Sequence, residues 1–336
     1  MFSSLDQVID RIRAGERFLV LGHIKPDGDD VSSVASLVMI LRKAGKTAEG
    51  CIPDELPGFV GRLSCDGILK GVDELRSYSY DTSITVDSSD LERIGRAADL
   101  LRDGIPDITL DHHKTNAGFG KLNVCDPTCA AAAMIICEIG EKLDLADFDP
   151  VLAETLLLGI ATDSGFFRYP NTDERALSCA AALVRRGASI GRISEAVLEH
   201  RTLSEIRLAA DMFGTLEILA DGRLAVAQIA AEALEKRDCT LANTVGLIGQ
   251  LRSIGVVEVA ILFVELPDGT VNVEFRSKNR VDVSEIAVRF GGGGHAPASG
   301  CSLPGIGLDE AKRRVVADAE ETIARTFGGQ PSVSGE

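Results

Sequence analysis

The stretch RFLVLGHIKPDGDDVSSVASLVMILRKAG, residues 17–45, decides the fold class. Residues 17–22 form a short apolar run after a turn, which predicts a buried strand. Residues 29–44 have helical periodicity that stops at Gly45, which predicts a helix. A strand that leads directly into a helix is the unit from which parallel α/β sheets are built.

The same alternation continues through the first half of the chain. Strands are expected at residues 46–52, 83–86 and 107–110, and helices at 5–14, 130–143 and 151–162. Strands that alternate with helices predict a mostly parallel sheet flanked by helices, an α/β fold. In such sheets ligands bind at the carboxyl ends of the strands, where His23, Asp87 and Asp111 fall in this sequence.

The pattern changes near residue 190. Residues 193–213 are typical of one or two helices, and residues 308–327 predict a final helix. Two strand pairs are expected, 215–219 with 224–229 and 256–265 with 270–276. Their turns contain Asp221-Gly222 and Pro267-Asp268-Gly269, which indicate antiparallel hairpins.

These patterns predict two domains. The expected bounds are 1–188 for an N-terminal domain, 189–212 for a helical linker, 213–328 for a smaller C-terminal α/β domain with a mixed sheet, and 329–336 for a disordered tail.

Composition excludes several classes of protein. Asp and Glu outnumber Lys and Arg by 51 to 35, a formal net charge of −16, so we expect no binding of long nucleic acid, which needs a wide basic surface. Metal ions can still supply positive charge for a small phosphorylated substrate. Eight cysteines without a CxxC pair, Cys65 among them, are typical of reduced thiols in the cytoplasm. We expect no signal peptide and no membrane span.

Carboxylates and imidazoles that could bind a metal ion occur at four places in the first half. The segment from His23 to Asp29 places one imidazole and two carboxylates, Asp27 and Asp29, on one turn, which suits a hard divalent ion. A polar turn with a helix-capping Asp is the alternative. Taken alone, Asp87 after a strand is more typical of a helix cap, and Asp163 at the end of an apolar helix is weak evidence that a turn-forming residue would also explain.

The fourth place, Asp111-His112-His113, follows a predicted strand, and its alternative is a surface loop. In the second half, the run Gly291–Gly294 precedes His295. Glycines let backbone N–H groups approach an anion closely, whereas the alternative is a flexible linker. Upstream, Arg276-Ser277-Lys278 offers cationic and hydroxyl donors for a phosphate.

The combination is more specific than its parts. Four of the five histidines lie in these elements, and only His200, expected on a solvated helix face, does not. Clustered carboxylates such as Asp27, Asp29, Asp87 and Asp163 would repel one another strongly. Two divalent metal ions that share one carboxylate would remove this repulsion.

In this order the elements resemble the DHH phosphoesterase superfamily with its DHH-associated C-terminal domain, over about residues 5–325. The most similar subgroup is that of the nanoRNase-like oligoribonucleases and pAp phosphatases (pAp is 3′-phosphoadenosine 5′-phosphate). Its patterns HxNPDGDxxGS, DHHxxN, GIxTDTGxFRY, RSK and GGGGHxxAAG correspond to HIKPDGDDVSS, DHHKTN, GIATDSGFFRY, RSK and GGGGHAPASG here. Lys25, Ser32, Ser164 and Ser299 depart from the pattern, and Lys25 and Ser32 put the exact substrate in doubt.

The resemblance implies roles for individual residues. It implies one metal ion held by His23, Asp27 and Asp87, and a second held by Asp29, Asp87, His112 and Asp163, with Asp87 bridging. It implies substrate phosphate binding by His113, Asn116, Arg276, Ser277, His295 and the amides of Gly293 and Gly294. The implied metal is Mn²⁺, with Mg²⁺ or Co²⁺ as alternatives, and the implied active site is the cleft between the domains.

The function implied is hydrolysis of short oligoribonucleotides to nucleoside monophosphates, dephosphorylation of pAp, or both. Two metal ions would activate the attacking water, with Asp87, His112 and His113 as catalytic residues. The sequence leaves open whether His113 or His295 protonates the leaving oxygen, and whether the protein is a monomer or a homodimer. The alternatives are cleavage of cyclic or linear dinucleotides such as pApA, a manganese-dependent pyrophosphatase, which Gly291–His295 disfavours, and a non-catalytic nucleotide-binding module.

Overall fold

A computed structural model describes residues 2–63, 67–145, 148–199 and 201–328 of the chain. The chain forms two compact units, Met1–His200 and Arg201–Glu336. The predicted tail at 329–336, the predicted exposed position of His200 and Cys65 lie outside the described residues, as does the side chain of His295.

The first unit contains six strands and seven α-helices within its described residues. The strands are β1 (Arg17–Leu21), β2 (Thr47–Cys51), β3 (Leu69–Lys70), β4 (Thr82–Val86), β5 (Ile108–Asp111) and β6 (Leu122–Cys125). The helices are α1 (Leu5–Ala14), α2 (Gly28–Lys43), α3 (Val72–Leu75), α4 (Ala132–Lys142), α5 (Pro150–Asp163), α6 (Glu174–Arg185) and α7 (Ile190–Leu198), with 3-10 helices at Val60–Arg62 and Glu92–Leu100.

The six strands form one parallel sheet in the order β3-β2-β1-β4-β5-β6. Successive side chains of a strand point to opposite faces, so Phe18 and Val20 join the core formed with α2, α4 and α5, while Leu19 and Leu21 face the opposite layer. From β1 the chain first builds towards β3 and then returns to build from β4 outwards. The strand order therefore reverses between the neighbours β1 and β4. Ligands bind to α/β sheets at the carboxyl ends of the strands on either side of such a switch point.

The second unit contains a mixed sheet and five α-helices in the part that the structure describes. Its strands are β7 (Glu217–Leu219), β8 (Leu224–Ile229), β9 (Val259–Glu265), β10 (Val271–Ser277), β11 (Gly293–His295) and β12 (Ala298–Leu303). Its helices are α8 (Leu203–Phe213), α9 (Ala231–Arg237), α10 (Leu247–Arg252), α11 (Val283–Arg289) and α12 (Leu308–Phe327), with a 3-10 helix at Leu241–Thr244. The order is β11-β12-β10-β9-β8-β7, and only the β8–β9 pair is parallel.

The predicted fold class is confirmed: a parallel α/β sheet and a second, mixed sheet. Both hairpins form where the turns predicted them, β7 with β8 and β9 with β10. Within the predicted linker, α7 packs into the core of the first unit through Ile193, whereas α8 packs into the second through Leu208. The exact domain bounds stay a prediction.

Candidate metal centre

The loop from β1 to α2 supplies His23, Asp27 and Asp29. Asp27 is the N-cap of α2, because its Oδ1 accepts hydrogen bonds from the amides of Asp29 (3.0 Å) and Asp30 (3.1 Å). It also belongs to a group with His23 and Asp87 whose ligand atoms lie within 4.8 Å of one another. Asp27 therefore caps α2 and also belongs to a group that could hold a metal ion.

Asp87 occupies the middle of the cluster. It follows β4 with a φ of 51°, in the left-handed region, and is buried. Its Oδ2 lies 3.5 Å from Nε2 of His23, and its Oδ1 lies 3.3 Å from Nε2 of His112. Oδ1 is nevertheless a buried atom without a hydrogen bond of good geometry to any described residue, which costs free energy unless another ligand is bound.

Both imidazoles present the same nitrogen to the cluster. Nδ1 of His23 lies 2.8 Å from the carbonyl oxygen of Ile24, and Nδ1 of His112 lies 3.2 Å from that of Cys129. A backbone carbonyl at Nδ1 favours the tautomer with its proton there, which leaves Nε2 free as a metal ligand. Nε2 of His112 is also 3.5 Å from Oδ2 of Asp163, the last residue of α5.

Asp29 is held from three sides. The amides of Ala132 and Ala133, at the start of α4, donate to its two carboxylate oxygens at 2.5 and 3.0 Å, and Ser33 Oγ donates at 3.2 Å. The positive end of the α4 dipole thus stabilises this buried carboxylate. Its Oδ2 remains 3.8 Å from Nε2 of His112.

His113 is more exposed than His23 and His112. Its Nδ1 donates to Asp111 Oδ1 (2.7 Å) and lies 3.6 Å from Asp87 Oδ1, so Nε2 is the nitrogen that this hydrogen bond leaves free. Asn116 has a structural role, because its Nδ2 donates to Ser88 O (3.0 Å) and Asp111 Oδ2 (2.7 Å) while its Oδ1 accepts from Gly118 N (2.7 Å). Binding of substrate by Asn116 stays a prediction.

The buried charges shift one another's pKa values. Burial disfavours the imidazolium of His23, but Asp87 and Asp30 outweigh it and raise its pKa to about 9. Burial also disfavours the imidazolium of His112, but Asp87 and Asp29 outweigh this effect and raise the pKa of His112 to about 10. Burial also opposes ionisation of Asp87, yet the imidazoles of His112 and His23 lower its pKa to about 2.

Two carboxylates shift the other way. Burial and the charge of Asp87 raise the pKa of Asp29 well above its usual range. Burial also raises the pKa of Asp163 to about 6, against the opposing effect of His112. In the metal-free protein the imidazoles therefore act as the cations of this site.

This donor set fits divalent metal ions. Three groups of described residues have ligand atoms close enough to hold an ion: His23 with Asp27 and Asp87, Asp29 with His112 and Asp163, and Asp87 with His112 and His113. Mixed imidazole and carboxylate ligands suit Mn²⁺ and related ions, and the unpartnered Oδ1 of Asp87 is the atom that a second ion would satisfy.

Metal affinity is expected to rise with pH, because the two metal ions would displace one proton each, from His23 and from His112. With pKa values of about 9 and 10, His23 and His112 are protonated at pH 7, so the affinity should rise between pH 6 and 8 by up to about tenfold per pH unit for each displaced proton. Isothermal titration of Mn²⁺ in buffers of different ionisation enthalpy would count the protons released.

The stability of the metal-free fold should instead fall as the pH rises. The contacts that raise the pKa values of His23 and His112 stabilise the fold fully below about pH 6.5, the histidine pKa in the unfolded chain. This stabilisation is lost as the pH rises through about 9 to 10. An Mn²⁺ affinity that did not change with pH, together with a flat metal-free stability, would contradict both expectations.

Two aspartates to which the resemblance assigns no role hold the proposed ligands in place. Asp30 is fully buried, and its Oδ1 accepts from the amide of His23 (3.0 Å). Asp111, also fully buried, holds His113 and Asn116. Gly22 permits this contact, because a Cβ there would clash with the Asp30 carboxylate.

Lys25 stands in the same loop with a strained backbone, at a φ of 53°. Asn, the common residue in the resembling pattern, tolerates this left-handed region better than Lys. Lys25→Asn is therefore expected to stabilise the protein by up to about 1 kcal/mol, whereas Lys25→Ala, which keeps the strain, should give no gain. Urea unfolding of the two variants measures this, and equal stabilities would argue against it.

In the second unit, the predicted phosphate-binding residues lie near one point of the sheet. Arg276 on β10 and His295 on β11 both pair with Ala298 of β12. Ser277 is buried, and its hydroxyl donates to Ala296 O (3.1 Å). Lys278 is directed elsewhere, because its ammonium donates to the carbonyls of Ile254 (2.6 Å) and Gly255 (3.1 Å) at the end of α10.

The glycine run forms an edge strand. Gly293 and Gly294 are exposed on β11, which pairs with β12. Gly294 has a φ of 136°, and a Cβ there would lie 2.6 Å from Ser299 Cα. Glycine is required here so that the two backbones can approach, and the sequence alone had not indicated a strand.

The DHH family N-terminal domain matches residues 17–160, and the DHHA1 domain matches residues 221–325. The bifunctional oligoribonuclease and PAP phosphatase NrnA of Thermus thermophilus is 31% identical over 308 residues, which cover 90% of this chain and 89% of the relative. The chain belongs to the DHH family. As a DHH phosphoesterase it is a metal-dependent hydrolase that acts on phosphoester bonds.

A second relative and a solved structure are also similar to this chain. The protein of the same name from Bacillus subtilis is 28% identical over 324 residues, which cover 94% of this chain and 97% of that relative. The crystal structure of an exopolyphosphatase-related protein from Bacteroides fragilis has a TM-score of 0.89 at 20% identity and covers 96% of this chain and 97% of its own. The latter similarity supports the fold alone.

Within the described residues, no helix has both the length and the apolar character that crossing a membrane requires. The seven described cysteines are all free thiols.

Proposed function

We propose that this DHH phosphoesterase hydrolyses short oligoribonucleotides to nucleoside monophosphates and removes the 3′-phosphate of pAp. The observation that carries the proposal is the position of Asp87 between Nε2 of His23 and Nε2 of His112, with Asp27, Asp29 and Asp163 around them. The names of the relatives, oligoribonuclease and PAP phosphatase, support the substrate class.

The proposed cofactor is a pair of Mn²⁺ ions, one held by His23, Asp27 and Asp87 and the other by Asp29, Asp87, His112 and Asp163. When bound, such ions lower the pKa of water and neutralise charge on a phosphate. Asp87 would bridge, which agrees with the unpartnered Oδ1 of this residue.

The chain's own residues would bind and orient the substrate. His113 keeps Nε2 available because Asp111 holds its Nδ1, and the same contact raises the pKa of His113, so the ring can donate a proton to a phosphate or leaving oxygen. We assign phosphate binding in the second unit to Arg276, Ser277, His295 and the exposed amides of Gly293 and Gly294. A guanidinium and backbone N–H groups are suitable donors for an oxyanion.

The net charge of −16 supports small substrates, because long nucleic acid requires a wide basic surface. The free thiols of the seven described cysteines support a cytoplasmic location.

Product analysis tests the substrate assignment. Purified protein with Mn²⁺ is incubated with RNA of two to five nucleotides, pAp, linear pApA, cyclic di-AMP and pyrophosphate, and products are separated by chromatography. Fast release of mononucleotides from RNA and of phosphate from pAp is expected. Preferential turnover of cyclic di-AMP or pyrophosphate would contradict the proposal, and Mg²⁺ and Co²⁺ arms test the choice of metal.

A further inference from the structure

Arg93 lies beside the metal centre without a role in the chemistry described above. Its Nη2 atom is 3.3 Å from Nδ1 of His23. Within the described ranges of the chain, its guanidinium forms no ion pair with a carboxylate. A partly buried arginine beside a cluster of acidic ligands, yet unpaired with any of them, is unusual for a purely structural residue.

The backbone holds Arg93 in this position. The amide of Ile24 donates to the carbonyl of Arg93 (2.8 Å), and the amide of Arg93 donates to Asp90 Oδ1 (3.1 Å). Gly95 then turns the chain with a φ of 49°, and a Cβ at this position would clash with the side chain of Ile24. The 3-10 helix that carries Arg93 thus packs closely against the loop that carries His23.

The contact between Arg93 and His23 is not a hydrogen bond. Nδ1 of His23 lies 2.8 Å from the carbonyl oxygen of Ile24, so its proton is directed at that oxygen. The N–H of Arg93 then faces another N–H, and two donors do not bond. The guanidinium therefore requires a different acceptor.

We infer that Arg93 binds a phosphate oxygen of the substrate at the His23 side of the metal centre. A guanidinium presents a planar fork of N–H donors that matches a phosphate, and within the described residues neither His23 nor a carboxylate accepts from the fork of Arg93. The inference rests on the proposed function, because it assigns one more binding residue to the same phosphate substrates.

The test compares Arg93→Gln with the wild-type protein, both loaded with Mn²⁺. The probes are 5′-AMP, measured by isothermal titration, and inorganic phosphate, measured as an inhibitor of bis(p-nitrophenyl) phosphate hydrolysis. We expect Arg93→Gln to lower the affinities for 5′-AMP and for inorganic phosphate by about tenfold each, the usual effect of losing a charge-assisted hydrogen bond. KM should rise more than kcat falls, and Mn²⁺ affinity should stay within about twofold or increase, because a cation is removed.

Two further variants make the result specific. Arg96→Gln removes a guanidinium three residues away, exposed and paired with Asp73 at 3.2 Å, and should leave all values unchanged. Arg93→Lys keeps the charge without the fork and should give an intermediate loss, which also serves if Arg93→Gln does not fold.

Equal 5′-AMP and phosphate affinities in the wild type and Arg93→Gln would overturn the inference. So would a loss of Mn²⁺ affinity that alone accounts for the weaker binding, since Arg93 would then only position His23. Failure of the proposed function is distinguishable, because it would show as absent turnover of RNA and pAp by the wild-type protein while the phosphate measurement still reports on Arg93.

Discussion

Asp87→Asn is expected to abolish tight Mn²⁺ binding and to lower turnover by about a thousandfold or more. Among the described residues, Asp87 is the only carboxylate that lies within 3.5 Å of both ring nitrogens, Nε2 of His23 and Nε2 of His112. Losing the shared ligand removes several kcal/mol of transition-state stabilisation. Asn has the same shape and tolerates the φ of 51°, so the backbone should not change.

The measurements are Mn²⁺ titration and steady-state turnover, with metal-free thermal unfolding to show that the variant folds. Asp103→Asn is the matched control, because Asp103 is an exposed carboxylate paired with Lys121. It should lose no measurable activity. Near-normal Mn²⁺-dependent turnover by Asp87→Asn would show that this centre is not the catalytic one.

Gly159→Ala is expected to destabilise the protein by about 1–3 kcal/mol and to weaken metal binding, although alanine is the better helix former. Gly159 lies in α5 where this helix meets α2 and α4. An ideal Cβ there would clash with Ser32 Oγ and lie 2.5 Å from Asp29 Oδ1 and 2.8 Å from Ala133 Cβ. None of these atoms ends a long flexible side chain, so Asp29 would have to move away from its amide donors.

Urea unfolding with and without Mn²⁺ measures both effects. The control is Gly191→Ala in α7, an exposed glycine whose Cβ would meet nothing nearer than Ser189 Oγ at 3.7 Å. It should be neutral or stabilise by up to about 1 kcal/mol. If Gly159→Ala also proved neutral with unchanged Mn²⁺ affinity, the close packing of α5 would not be what positions Asp29.

Local patterns were sufficient for much of the fold. The helices predicted at 5–14 and 308–327 have those bounds in α1 and α12, and both turns with glycine form hairpins. Each of these features depends on residues within one helix or one turn, so a single stretch of sequence contains its cause. Short strands such as β3, and glycine-rich β11, carry no hydrophobic period, and the sequence did not predict them.

The sequence by itself determined the chemistry of the site: imidazoles and carboxylates at the ends of strands, together with the motifs that the DHH family shares. Only the tertiary structure decided which of these groups meet and how. It placed Asp87, with its left-handed backbone, between two imidazoles. It directed the hydrogen bonds of Asn116 to Asp111 and those of Lys278 to Ile254. It also brought Arg93 next to His23, 70 positions away in the chain. The physical reason is that such contacts depend on the order of strands in a sheet and on the close packing of whole helices, which no local pattern of residues contains.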